Sequence, residues 1–162
     1  MPRRFALALL VLALSLAAVA TAPAARVRSA GARLTGTETA FLQEMNRVRT
    51  AHGLRALRID GLLERAARSH TASMLRTGSF EHGDFSGRMA QFGVRRSMAG
   101  ENLAWGVGES GTPQELVAAW LRSPPHRANL LRRGFRRVGV GAQVGPFAGY
   151  DGAVVVTTDF SS

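Results

Sequence analysis

The stretch Ala99–Gly106, Ala-Gly-Glu-Asn-Leu-Ala-Trp-Gly, decides how the rest of the chain is read. From Asn102 it alternates, with Leu103, Trp105 and Val107 on one side, the period of a strand with one buried face. Glu101 sits at the mouth of that strand, where a carboxylate meets an apolar element. Two histidines in polar settings flank it, His82 in Phe-Glu-His-Gly-Asp and His126 in Ser-Pro-Pro-His-Arg-Ala-Asn-Leu-Leu. The expectation is that His82, Glu101 and His126 meet in one open cleft, with Asn102 part of it.

Towards the C-terminus, Thr112-Pro113-Gln114-Glu115 spells a helix start, with a threonine cap, proline in the first helical position and glutamate three residues after the cap. Leu116, Val117 and Trp120 supply its apolar face. Ser123-Pro124-Pro125 ends that helix and opens the next, because proline cannot continue the preceding turn. His126 then falls in a first helical turn, whose partial positive charge favours the neutral imidazole. Val138, Val140, Ala142 and Val144 alternate with Gly139, Gly141 and Gln143 as a strand. Pro146–Gly152 reads as a turn, and Ala153–Phe160 as a terminal strand, apolar on both faces at its start and so central in its sheet.

Towards the N-terminus, Thr35 and Glu38 have capping-box spacing, and a helix from about Thr37 places Phe41, Met45, Val48 and His52 on one stripe. Gly53 closes it. Asp60 caps a second helix whose stripe is Leu62, Leu63, Ala66, Ala67, His70 and Met74, the alanine pair permitting close approach of another element. His52 and His70 read as packed side chains rather than ligands. Gly78–Gly100 is loop-rich, with a short amphipathic piece near Arg88–Phe92, and loops are where sites concentrate. Helices crossing between antiparallel strands give a compact, layered α+β sandwich.

The first 24 residues have the form of a secretory signal peptide: Arg3 and Arg4, an apolar run over Phe5–Ala20, then small residues suited to cleavage. The run is shorter than the ~20 residues that span a bilayer, so no transmembrane segment is expected after cleavage. Residues 25–36 read as a flexible lead-in and 37–162 as one domain. The chain contains no cysteine, which excludes thiol catalysis and thiolate zinc sites and leaves an exported fold to be held by packing. The net charge is +10, and all 21 basic residues are arginine. They are scattered except for Arg132, Arg133, Arg136 and Arg137, and no aromatics interleave as stacking platforms, so nucleic acid is not the expected partner. Anionic envelope polymers or phospholipid headgroups suit the charge better.

In this order and spacing, the chain resembles the CAP superfamily of cysteine-rich secretory proteins, antigen 5 proteins and pathogenesis-related proteins. The marks run from Phe41 to Phe160: Asn46 and Arg49, Leu57 and Asp60, Ala66 and Met74, Phe-Glu-His-Gly-Asp, Ala-Gly-Glu-Asn-Leu-Ala-Trp-Gly, Trp120, Ser-Pro-Pro-His-Arg-Ala-Asn-Leu-Leu, Phe135, Val-Gly-Val-Gly and Thr-Thr-Asp-Phe. The resemblance implies a three-layer α-β-α sandwich with a central, mainly antiparallel sheet and a broad cleft, in a compact, cysteine-free bacterial form secreted to the periplasm or beyond. It assigns His82, Glu101 and His126 to that cleft. Many relatives place a further glutamate where this chain has Ser123, which leaves three of four cleft residues.

Two neutral imidazoles and a carboxylate suit a divalent metal such as zinc, with His82, His126 and Glu101 as the candidate ligands. A hydrogen-bonded network tying the elements together is the structural alternative. The favoured reading is a binding module for a divalent metal and a small-molecule, lipid or envelope ligand. A metal-dependent peptidase or esterase would use Glu101 as general base, but Ser79, Ser97 and Ser123 stand in no nucleophile elbow. A third reading makes the Arg132–Arg137 face a protein-interaction surface and the cleft purely structural. Phe80, Phe85, Phe92 and Phe147 read first as core.

Overall fold

The structure, a computed structural model, describes residues 33–162. The expected signal peptide and most of the lead-in lie outside the described residues. Helix α1 spans Gly36–Ala51 behind the capping box, in which Glu38 N donates to Thr35 Oγ1 and Thr35 N donates to Glu38 Oε2. A two-residue strand β1 (Arg58–Ile59) precedes α2 (Gly61–Thr77), which Asp60 caps by accepting from Leu62 N and Leu63 N. Helix α3 (Phe85–Gln91) lies in the loop-rich stretch. Strand β2 (Ala99–Val107) and a 3-10 turn lead to α4 (Pro113–Arg122) and α5 (Pro124–Leu130). Strands β3 (Arg137–Phe147) and β4 (Tyr150–Ser161) complete the chain.

The four strands form one sheet in the order β1-β3-β4-β2, with β4 interior as its apolar composition requires. The β1–β3 pairing is parallel; β3–β4 and β4–β2 are antiparallel. Helices α1, α4 and α5 cover one face, where Phe41, Met45, Trp120, Leu130 and Phe135 pack on Val138, Val140, Val156 and Phe160. Helix α2 covers the other, and α3 packs beside it around Leu63, Ala66 and Met89. The fold is therefore the expected three-layer sandwich.

Close approach of α2 is made possible by glycine in β3. A Cβ on Gly139 would stand 2.0 Å from the Leu63 carbonyl carbon, and one on Gly141 2.5 Å from that of Ala67. The small surface expected at Ala66-Ala67 thus meets a strand face with no side chains. Buried Arg49 fastens the opposite layer, donating to the carbonyls of Arg55, Leu130, Arg132 and Phe135.

Three expectations are corrected. His52 is exposed and leaves the α1 stripe; it occupies the C-cap, with Nδ1 2.8 Å from Val48 O, because the helix ends there and Gly53 follows with φ +67°. The turn expected over Pro146–Gly152 shrinks to Ala148-Gly149, both with positive φ as a tight hairpin requires. Pro146 lies within β3 at a register irregularity, where a missing N–H is tolerated. Glu101 is not at the mouth of its strand: β2 begins at Ala99, and Glu101 lies inside it, 6% exposed.

Candidate functional site

Alternation along β2 turns Glu101, Leu103, Trp105 and Val107 towards α2, while Ala104 packs with the α1–α4–α5 layer. Strand β2 is the sheet edge, so its outer carbonyls need covering. Trp120 Nε1 donates to Leu103 O at 2.8 Å and Asn129 Nδ2 to Glu101 O at 3.0 Å. The two helical layers close over this edge, and the polar groups gather there.

Glu101 is the hub. Its Oε1 lies 2.7 Å from His82 Nδ1, and its Oε2 accepts from Arg88 Nη2 of α3. Arg88 also donates through Nη1 to His82 O at 3.2 Å, fixing the loop that carries the imidazole. With a carboxylate at Nδ1, His82 carries its proton there and keeps the Nε2 lone pair outward. Its side chain is 56% exposed, against 3% for Glu101. His70, from α2, places Nε2 2.9 Å from Glu81 O and 3.9 Å from Glu101 Oε2. Burial first, then the nearby Arg88 charge, holds its pKa below the ordinary histidine value.

Directly across the β2–β4 ladder from Glu101 stands Asp159, fully buried. Among the described residues, neither of its oxygens has a hydrogen-bond donor, and Arg88 Nη2 is 3.9 Å from Oδ1. Burial, reinforced by the Glu101 charge, raises the Asp159 pKa well above the ordinary carboxylate value. The two carboxyls thus face one guanidinium, an arrangement in which burial and mutual repulsion disfavour ionising both.

The other wall is the start of α5. Asn102 Nδ2 donates to His126 O at 2.9 Å and its Oδ1 accepts from Asn129 Nδ2 at 3.1 Å. Asn102 is thus a buried positioning residue that fixes the turn carrying His126. The His126 ring is half-buried, and its pKa is held down by burial and then by the charge of His82, which it is near enough to feel. Ser123 occupies the α5 N-cap, half-buried and without a side-chain capping bond.

Sequence reasoning missed Arg88, Asp159 and the proximity of His70. The signal for Asp159 was an acid placed between Thr158 and Phe160 in the buried half of the terminal strand, and for Arg88 a lone cation on a short amphipathic helix after the His82 loop. Of the phenylalanines expected in the core, Phe147 is buried, Phe85 and Phe92 are partly buried against the α3 cluster, and Phe80 is 44% exposed.

The profile of the cysteine-rich secretory protein family matches residues 42–160. The chain belongs to this family. It is 35% identical over 118 residues to an uncharacterised protein, YkwD, of Bacillus subtilis (strain 168), covering 70% of this chain and 45% of that one. An extracellular SCP-domain protein from Bacillus anthracis superposes with TM-score 0.61 at 27% identity, covering 80% of this chain and 44% of that one. An outer surface protein from Borrelia burgdorferi, at 22% identity and TM-score 0.61 over 75% and 90% of the two chains, shares the fold. The chain thus spans less than half of YkwD and of the Bacillus anthracis protein. Among the described residues, no helix is long and apolar enough to cross a membrane.

The donors can be tested against the zinc ion that the resemblance implies. His82 Nε2 and the neutral His126 ring suit a cation completed by water. Glu101 is less suited to direct ligation than to orienting His82, because it is buried and paired with the Arg88 cation. Among the described residues, no three His, Asp or Glu side chains are grouped to hold a metal.

Proposed function

We propose that this protein is an exported binding module whose cleft takes a divalent cation, such as zinc, on His82 and His126, and with it a small-molecule, lipid or envelope ligand. The observation that carries the reading is the burial and pairing of Glu101, 3% exposed at its side chain with one oxygen facing His82 Nδ1 and the other Arg88. A general base must reach a water; Glu101 is buried behind His82 and orients an imidazole whose side chain is 56% exposed. A bound cation would supply a positive attachment point for a ligand oxygen. The chain's own residues would position it: Glu101 through His82, Asn102 through the His126 turn. Phe80, two residues before His82, and Trp105, on the Glu101 face of β2, form an aromatic row with Phe147 and Tyr150 that suits an apolar ligand portion. Export is supported by the signal-like N-terminus and by the extracellular Bacillus anthracis relative.

Calorimetric titration with zinc alone tests this. His82→Ala and His126→Ala are expected to abolish binding, and Glu101→Gln to weaken it about 10- to 100-fold, as loss of an orienting carboxylate does. Unchanged binding in His82→Ala, or none by the parent chain, refutes the metal reading. The same network joins α2, α3, β2, β4 and α5, which favours a structural role for Glu101 alongside the binding one. His82→Ala should therefore keep the fold while Glu101→Ala weakens it.

A further inference from the structure

A cationic groove runs along the β1 edge of the sheet, the edge opposite Glu101. Arg55, Arg58, Arg136 and Arg137 line one part of it, and Arg55, Arg133 and Arg136 line the adjoining part. Arg55 and Arg136 belong to both, so the two depressions form one continuous track. All five arginines are exposed. Among the described residues the arginines paired with carboxylates are Arg47, Arg68, Arg88 and Arg96, none of them in the track.

Two features distinguish this track from a merely basic surface. Arg58 and Arg137 are direct partners in the β1–β3 ladder, so two guanidinium stems stand side by side on one face. Like charges in that relation destabilise a sheet unless something neutralises them. Beneath the track lies Arg49, whose donors go to the carbonyls of Arg55, Leu130, Arg132 and Phe135 and to no carboxylate. That buried cation adds a fixed positive charge under the groove. It also fastens the Arg55 wall to the 130–135 wall, so the concave shape is set before anything binds.

We propose that this track binds a linear polymer of phosphodiester-linked polyol units, its phosphates lying along the row of arginines. Guanidinium groups take phosphate oxygens in two-point contacts, and a row of them along a concave line matches anions spaced along a chain. A flat bilayer cannot follow a groove. Single-stranded nucleic acid has nothing to stack on, since no aromatic side chain lines the track. The site is separate from the His82 cleft and stands or falls independently of it.

The test is fluorescence anisotropy of a labelled poly(glycerol phosphate) oligomer titrated with the purified protein at several salt concentrations. The parent chain should bind with a log–log salt slope of roughly −3 to −4, the value for about five phosphate contacts at −0.7 each on a single-stranded polyanion. The triple variant Arg55→Gln/Arg58→Gln/Arg137→Gln should bind at least about tenfold more weakly, with the slope reduced by about 2. Its melting temperature should be no lower than the parent's, because it removes a like-charge pair. A control with equal charge loss on exposed arginines elsewhere, Arg65→Gln/Arg76→Gln/Arg122→Gln, should bind as the parent does, and so should His82→Ala. Equal losses in the triple variant and the control would reduce the effect to net charge and overturn the site. Tighter binding of phosphatidylglycerol vesicles or of single-stranded DNA than of the oligomer would overturn the assigned occupant.

Discussion

Replacing Glu101 by glutamine, alone and combined with Asp159→Asn, isolates the charge arrangement at the centre of the site. Arg88 is 9% exposed at its side chain, Glu101 3% and Asp159 0%. Orphaning a buried charge of this kind costs about 3–5 kcal/mol. Glu101→Gln is not expected to orphan Arg88, however, because the Glu101 charge is one of the causes that raise the Asp159 pKa. Once that charge is gone, Asp159 can ionise and take over the guanidinium now 3.9 Å away. The glutamine oxygen can still accept from His82 Nδ1. The single substitution should therefore cost only about 1–2 kcal/mol, a charge-assisted hydrogen bond exchanged for a neutral one. At neutral pH Asp159→Asn removes the loss that the raised Asp159 pKa imposes on the folded state and should be neutral to stabilising. The double variant leaves Arg88 facing two amides and should lose about 3–5 kcal/mol relative to Asp159→Asn alone. Urea unfolding at neutral pH with a constant m-value reads all four corners of the cycle. Strict additivity would mean that the two acids do not disfavour each other's ionisation, and the arrangement described here would be wrong.

Gly139→Ala should destabilise by about 3 kcal/mol or more, since the added methyl meets the α2 backbone at Leu63 rather than a side chain that can move; thermal denaturation checks it. Arg49→Met should cost at least about 3 kcal/mol in the same assay, because four carbonyls lose their donor at once. The raised Asp159 pKa sets a pH window. Below 3.8, the unfolded value, folded and unfolded acids are both protonated; as pH rises above it the unfolded chain releases the proton first, and the folded state loses stability until the raised value is passed. Asp159→Asn removes that loss, so its stability relative to the parent should climb from about pH 4 upwards in unfolding measurements across pH. A relative decline over that range would mean that Asp159 is ionised in the fold.

Local chemistry explains how much of this was legible in the sequence. Thr35–Glu38, Asp60 and Thr112-Pro113 each announce a helix through a bond made within three residues, so their boundaries are readable without knowing the fold. The histidines and Glu101 stand out as polar groups beside apolar runs. Arg88 and Asp159 do not, because their meaning comes from register: only the β2–β4 pairing sets Asp159 opposite Glu101, and only the α3 packing brings Arg88 over both. Gly139 and Gly141 read as ordinary strand alternation until α2 lies on them. Pro146 suggested a turn because a proline lacks a ladder donor, yet an irregularity in β3 absorbs it.

The most direct measurement is the ring tautomer of His82, read from long-range proton–nitrogen NMR correlations at a pH where the imidazole is neutral. With Glu101 held against Nδ1, the proton should reside on Nδ1, leaving Nε2 free to accept, and Glu101→Ala should abolish that preference. A proton found on Nε2 in the parent chain would contradict the account, because the outward nitrogen would then have no lone pair to offer a cation.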